Sequence, residues 1–214
     1  MQSSFRLPRV YPLTDVQLSG LSHADQVQLL SQGGASLIQL REKQMPALEF
    51  YEQAKAAVAV AEREGVQLIV NDRVDLALAV GAQGVHLGQD DMPPEAARRL
   101  LGAEAIIGYS THTAEQVLSA LTLPIDYIAI GPIFQTTTKT DTSPVLGFDG
   151  LRAVRQAIGK FPLVAIGGIT RINAAEVIRA GADSIAVISA LLSDPHQIPD
   201  TTRTLLQDLH DFSG

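Results

Sequence analysis

The chain has 214 residues, 46% hydrophobic and 18% charged, the make-up of a globular protein long enough to bury a core without a disulfide or metal staple. Lys and Arg total 16 against 23 Asp and Glu, and the resulting net charge of −7 excludes broad nucleic-acid binding through a basic face, while no apolar run approaches the ~20 residues of a membrane span. Cysteine is absent, which excludes disulfides, thiolate metal sites and cysteine nucleophiles, and with no apolar stretch from Met1 to Pro8 the expected location is the cytoplasm.

Along the chain, short aliphatic or β-branched runs alternate with longer segments whose apolar residues recur at three and four positions. These are the patterns of strands covered on both faces and of helices packed on one. The expected strand Arg9 to Thr14 precedes the helix His23 to Gln32, and Ser36 to Arg41 precedes Pro46 to Glu64. The pairs continue with Gln67 to Asn71 and Arg73 to Val80, then Gly84 to Gly88 and Pro94 to Leu101, then Ile106 to Ser110 and Ala114 to Ala120. Tyr127 to Pro132 with Gly150 to Ile158, Leu163 to Gly168 with Asn173 to Ala180, and Ser184 to Ser189 with a last helix from about Pro195 to Phe212 complete the series. Gly34, Gly65, Gly81, Gly102 and Gly181 stand where helices should stop, and Ser193 or Asp194 supplies an N-cap before Pro195. The likeness of Gly81-Ala82-Gln83-Gly84-Val85 to Gly181-Ala182-Asp183-Ser184-Ile185 reflects one local solution, helix stop then strand start. Eight such units in 214 residues, with no Pro/Ser-rich linker, favour one α/β domain over residues 1–214. It is expected to close as a (β/α)8 TIM barrel; the alternative is an open doubly wound sheet.

In a barrel, chemistry collects where the strands run out at their C-terminal ends. Arg41 and Lys43 after the second strand and Lys139 after the sixth are cations suited to a phosphate or diphosphate. Asp72 and Asp91, from adjacent strand ends, suit Mg²⁺ beside phosphates; each also stands where it could cap a helix, Asp72 before Arg73 and Asp90 or Asp91 before the helix after Pro93. Gly167-Gly168 and Ser189 occupy the barrel position where backbone N–H groups bind a phosphate, and fit ordinary turn chemistry as well. Phe134 to Gly147 is a long polar loop with three consecutive threonines, which reads as a lid with phosphate-binding hydroxyls or as a solvated loop. His86, inside an apolar strand, reads as a core residue, His112 at a strand end could do acid/base work, and His23, His196 and His210 read as surface. Triad hydrolases, zinc enzymes and Rossmann dehydrogenases have no motif support.

The set Gln39-Leu40-Arg41-Glu42-Lys43, Asn71-Asp72, Gly84-Val85-His86-Leu87-Gly88-Gln89 with Asp91, Ser110-Thr111-His112-Thr113, Gly131-Pro132 with Thr136 to Lys139, and Ile166-Gly167-Gly168-Ile169 resembles, in order and over nearly the whole chain, the thiamine phosphate synthase family. The resemblance implies a transferase that couples 4-amino-2-methyl-5-(diphosphooxymethyl)pyrimidine with a thiazole phosphate, releasing diphosphate and giving thiamine monophosphate. It also implies the site. Gln39, Leu40, Arg41, Glu42, Lys43, Asn71, Ser110 and Lys139 would bind the pyrimidine diphosphate, Asp72 and Asp91 would hold Mg²⁺, and Thr136, Thr137, Thr138, Gly168, Ile188 and Ser189 would bind the thiazole phosphate. The implied mechanism is dissociative, with Arg41, Lys43 and Lys139 stabilising the departing diphosphate.

The chain departs from the family pattern in three places: Gln135 where a proline is common before the threonines, Pro12 interrupting the first strand, and Leu146-Gly147-Phe148 at the end of the lid. Two rivals share the barrel. One is a thiazole tautomerase in which His112 shuttles protons; the other is a catalytically idle barrel that binds a thiamine precursor. The diphosphate half of the site, which a tautomerase does not need, favours the synthase. The implied partners are small molecules, with no nucleic acid and no membrane, and the oligomeric state stays open, a homo-oligomer included.

Overall fold

The structure is a computed structural model that describes residues 5–136 and 144–210. In chain order the elements are β1 (Val10–Pro12), α1 (Val16–Ser19), α2 (His23–Gln32), β2 (Leu37–Leu40), α3 (Ala47–Glu64), β3 (Gln67–Asn71), α4 (Val74–Val80), β4 (Gly84–Leu87) and α5 (Pro94–Leu101). They continue with β5 (Ile106–Thr111), α6 (Ala114–Ala120), β6 (Tyr127–Ile130), α7 (Gly147–Ile158), β7 (Leu163–Ile166), α8 (Arg171–Arg179), β8 (Ser184–Val187), α9 (Ser189–Leu192), a 3-10 turn at Pro195–Gln197 and α10 (Ile198–His210). Every expected pair is present. Two elements were not expected, α1 and α9, each a single turn of four residues and too short to show a period. The first is made by its ends: Asp15 accepts the Leu18 amide at 3.0 Å and Gly20 closes the turn at φ 70°.

All strands are parallel, hydrogen-bonded in the order β1-β8-β7-β6-β5-β4-β3-β2. The ring closes as a TIM barrel through a bridge between Leu13 and Gln39, where the Thr14 amide donates to the Gln39 carbonyl at 2.9 Å. Pro12 does not interrupt β1, contrary to expectation: it pairs in register with Val187. Successive amides of a strand point to opposite sides, and Leu13 donates to Val187 on β8, so the N–H that Pro12 lacks would face β2, where pairing is confined to the closing bridge. Parallel strands with helices outside bury both faces, and Ile38, Leu40, Ile69, Val85, Leu87, Ile107, Ile128, Ile130 and Leu163 are accordingly fully buried. Each such side chain stabilises the fold by about 1.5–3 kcal/mol.

Two matching clamps lock the N-terminal ends of the strands. Arg98 on α5 donates to the carbonyls of Gly102, Ala103, Ala105 and Pro124 and, at 2.8 Å, to Asp126, whose same oxygen accepts the Ile107 amide of β5. Arg155 on α7 repeats the pattern with Gly159, Phe161, Gly181 and Asp183, and Asp183 accepts the Leu163 amide that opens β7. Arginine and aspartate are 28 positions apart in both. Gln83 takes the acceptor's part for β3, receiving the Leu68 amide at 2.7 Å, which gives the likeness of residues 81–85 to 181–185 its structural content.

Candidate active site

The barrel interior carries a chain of polar side chains drawn from separate strands. Gln39 of β2 donates to the Tyr11 hydroxyl of β1 at 3.0 Å, that hydroxyl lies 3.0 Å from Tyr127 of β6, and Tyr127 lies 3.0 Å from Nδ1 of His86 on β4. The other ring nitrogen of His86 reaches Ser110 of β5 at 2.8 Å. His86 is thus the hydrogen-bonded interior residue its sequence context suggested. Its ring stacks on Tyr127 with centroids 5.5 Å apart, and Gly108 leaves the room: a Cβ there would fall 2.1 Å from Tyr127 Cζ and 2.4 Å from His86 Nδ1. Burial pushes both phenols up, against the hydrogen bonds of Gln39 and Tyr127 for Tyr11 and reinforced by Tyr11 for Tyr127, so both stay protonated donors at neutral pH.

Above this chain a cavity of about 940 Å³ opens at the C-terminal ends of the strands, and Arg41, Lys43, Asn71, Asp72, Asp91, Ser110 and His112 all line it. Lys43 Nζ sits 2.5 Å from Asp72, and Arg41 pairs with Asp15 at 3.0 Å, while the Arg41 Nε is buried with no hydrogen-bond partner among the described residues. A buried guanidinium donor without an acceptor is costly, and an anion would satisfy it. Neither aspartate caps a helix, which removes that alternative: α4 follows Arg73 and α5 follows Pro93, both without a side-chain cap. Asp72 instead adopts φ 63°, a left-handed conformation uncommon outside glycine, held by its amide donating to the His86 carbonyl at 2.8 Å.

Asp91 accepts the Gly88 amide at 2.6 Å. Burial pushes its carboxyl up, the Gly88 amide pulls it down, and the Asp72 carboxylate within hydrogen-bond reach pushes it up again against the draw of Lys43. Two carboxylates facing one another in a half-buried setting form a site whose repulsion a cation relieves. Among the described residues no group of three or more His, Asp or Glu gathers, so the donors fit an ion that takes its remaining ligands from phosphate oxygens and water.

Across the rim a smaller space of about 70 Å³ is lined by Thr136, Gly168, Ile188 and Ser189. Gly168 has φ 63°, and a Cβ there would lie 2.5 Å from the Gln135 carbonyl, so the segment after β6 packs on its backbone. The Phe134 amide donates to Gly167 at 3.0 Å, and Phe134 meets Phe148 edge-on at 5.3 Å, which ties the two sides of the threonine segment together. Thr137, Thr138 and Lys139 lie outside the described residues.

Some sequence readings need correction. His23 is not a surface residue: it is fully buried at the start of α2, its Nδ1 2.7 Å from the Thr14 hydroxyl, whereas His196 and His210 are exposed. Leu40 is fully buried and offers core packing, not ligand-facing surface. Glu42 turns its carboxylate back on its own loop, accepting the amides of Lys43, Gln44 and Met45 at 2.8, 2.8 and 3.1 Å. Burial pushes that carboxyl up, but the three amides and His23 outweigh it and hold it below the usual range. The sequence reading did not single out Tyr11, Thr14, Asp15 or Tyr127; Asp15, polar and just past an apolar strand, carried the same signal as the residues that were found.

The sequence model of the thiamine monophosphate synthase family matches residues 10–191. A thiamine-phosphate synthase of Chloroflexus aurantiacus is 50% identical over 186 residues, covering 86% of this chain and 85% of that protein. One of Koribacter versatilis is 47% identical over 217 residues, covering 98% of this chain and all of that protein. Among solved structures, thiamine phosphate pyrophosphorylase from Pyrococcus furiosus superposes with a TM-score of 0.86 at 37% identity, over 96% of this chain and 97% of that one.

Proposed function

The chain belongs to the thiamine monophosphate synthase family and is a transferase of thiamine biosynthesis, and on that premise we propose how its two rim pockets divide the reaction. The larger one takes the aminopyrimidine diphosphate. Arg41, Lys43 and Lys139 hold the diphosphate, Asn71 and Ser110 orient it, and Gln39, fixed by Tyr11, presents its amide to the pyrimidine ring from below. The smaller pocket takes the thiazole phosphate on Thr136, Thr137, Thr138, Gly168, Ile188 and Ser189. Asp72 and Asp91 would hold Mg²⁺, which when bound would neutralise charge on the leaving diphosphate.

The carbon–oxygen bond of the pyrimidine methylene breaks first and its electron pair leaves with the diphosphate. The thiazole ring nitrogen then supplies the pair for the new carbon–nitrogen bond, giving thiamine monophosphate. The guanidinium and ammonium groups act by being aimed in advance at where negative charge develops. No general base is needed. His112, whose Nδ1 lies 2.8 Å from the Gly131 carbonyl, lines the rim without being assigned a proton to move.

The observation that carries the reading is the single cavity in which Arg41 and Lys43, with an orphaned guanidinium donor, meet two mutually repelling carboxylates. The test is incubation of the purified protein with both substrates and Mg²⁺. Thiamine monophosphate and diphosphate in equal amounts are expected. An isomerised thiazole alone would favour a tautomerase acting through His112, and no product at all would favour a binding barrel. Among the described residues no helix is long and apolar enough to cross a membrane, and we place the protein in the cytoplasm with small molecules as its partners.

A further inference from the structure

A fully buried histidine stands behind the phosphate-binding run without touching the cavity. The His23 imidazole packs on the Phe50 ring with centroids 5.5 Å apart, and its backbone amide donates to Gln53 at 3.2 Å. Its Nδ1 lies 2.7 Å from the Thr14 hydroxyl, and that same oxygen accepts the Arg41 amide at 3.2 Å. The other nitrogen faces Glu42 Oε2 at 3.7 Å, the carboxylate whose second oxygen gathers the amides of Lys43, Gln44 and Met45. The Thr14 hydroxyl also donates to the Gln39 carbonyl at 3.3 Å, so it joins the His23 ring to both strand β2 and the Arg41 amide, while Nε2 faces Glu42. One ring therefore backs both ends of the segment that carries the two cations.

We propose that His23 is a positioning residue for diphosphate capture, bonded to Thr14 behind the Arg41 amide and facing Glu42 behind the Lys43 amide, so that the two cations keep the spacing the ligand requires. The inference rests on the reading of Arg41 and Lys43 as diphosphate ligands. A histidine serving only the core would have both nitrogens satisfied, yet Nε2 is buried with no hydrogen bond, its carboxylate neighbour standing beyond bonding distance. A shift of under about 1 Å brings Glu42 into a charge-assisted bond, so the run and the ring settle together. The ionisable groups acting on His23 are Glu42 and Asp15, both acidic, and Asp15 is itself the partner of Arg41.

The test is calorimetric titration of inorganic diphosphate with Mg²⁺ into the wild type and the variants Arg41→Ala, His23→Asn, His23→Gln and Thr14→Val, alongside steady-state kinetics. His23→Gln and Thr14→Val are expected to weaken diphosphate binding five- to tenfold, the size of one lost buried hydrogen bond, and to raise KM for the pyrimidine diphosphate in step. KM for the thiazole phosphate should stay within twofold, and His23→Asn, whose amide overlays Nδ1, should recover part of the loss. Wild-type affinity in the folded His23 variants, an equal rise in both KM values, or loss of the fold in every variant at His23 and Thr14 would overturn the proposal while leaving Arg41 in its role. Wild-type affinity in Arg41→Ala would instead overturn the reading of the cations, and this proposal with it.

Discussion

Burial holds the His23 imidazole below its ordinary value of 6.5, against the pull of Glu42 and Asp15. The unfolded chain therefore takes up a proton at a higher pH than the folded one, so stability should fall as the pH drops below 6.5 toward the lowered folded value. Glu42, held below the usual range, adds a second loss at lower pH as the folded carboxylate finally protonates. Melting temperature against pH should decline through the first window in the wild type and flatten there in His23→Gln. Asp91 is perturbed the other way: its ionised form is disfavoured by burial and by Asp72. Asp91→Asn is expected to keep the Gly88 contact, raise the melting temperature of the ligand-free protein at neutral pH, and cut Mg²⁺-dependent kcat by on the order of 10²-fold or more. A variant with unchanged turnover at limiting Mg²⁺ would take Asp91 out of the ion's shell. That Arg41, Lys43, Asn71, Asp72 and Asp91 line one cavity was legible in the sequence, because a polar residue after an apolar run has no business in the core. His23 and Tyr127 could not, since Tyr11 meets Tyr127 across 116 positions and His23 reaches Glu42 only once two βα units have packed.

At the level of elements, strands and helices were legible wherever length let a period or a stop signal show. The single turns α1 and α9 were not, because four residues hold barely one repeat. Nor were the clamps, whose aspartates look like ordinary turn residues until an arginine 28 positions earlier reaches them. Arg98→Met should lower unfolding free energy by about 3 kcal/mol, since it leaves Asp126 and four carbonyls without their donor. Urea denaturation measures that loss, and kcat per folded molecule should hold because the clamp lies at the opposite end of the strands. Gly108→Ala acts on packing: its methyl would intrude on Tyr127 and His86, and the expected cost is about 1–3 kcal/mol with a rise in KM for the pyrimidine substrate.

For the whole molecule, one end of the barrel is built for stability and the other for chemistry, and the net charge of −7 sharpens the contrast. On the proposed reading two anionic substrates approach a negatively charged protein, so capture would depend on local cations at the rim, and rising salt should weaken repulsion and attraction together. The ring itself is uneven. Ladders bind each neighbouring pair of strands except β1 and β2, which meet at one bridge, and the residues beside it, Tyr11, Thr14, Gln39 and Arg41, lie on the proposed pyrimidine side. A hoop welded along every joint but one should flex at the pin. Deuterium should enter the amides of Thr14 and Arg41 before those of the inner strands, and a ligand spanning the pin should slow that entry, making the weakest join of the hoop the place where occupancy is felt first.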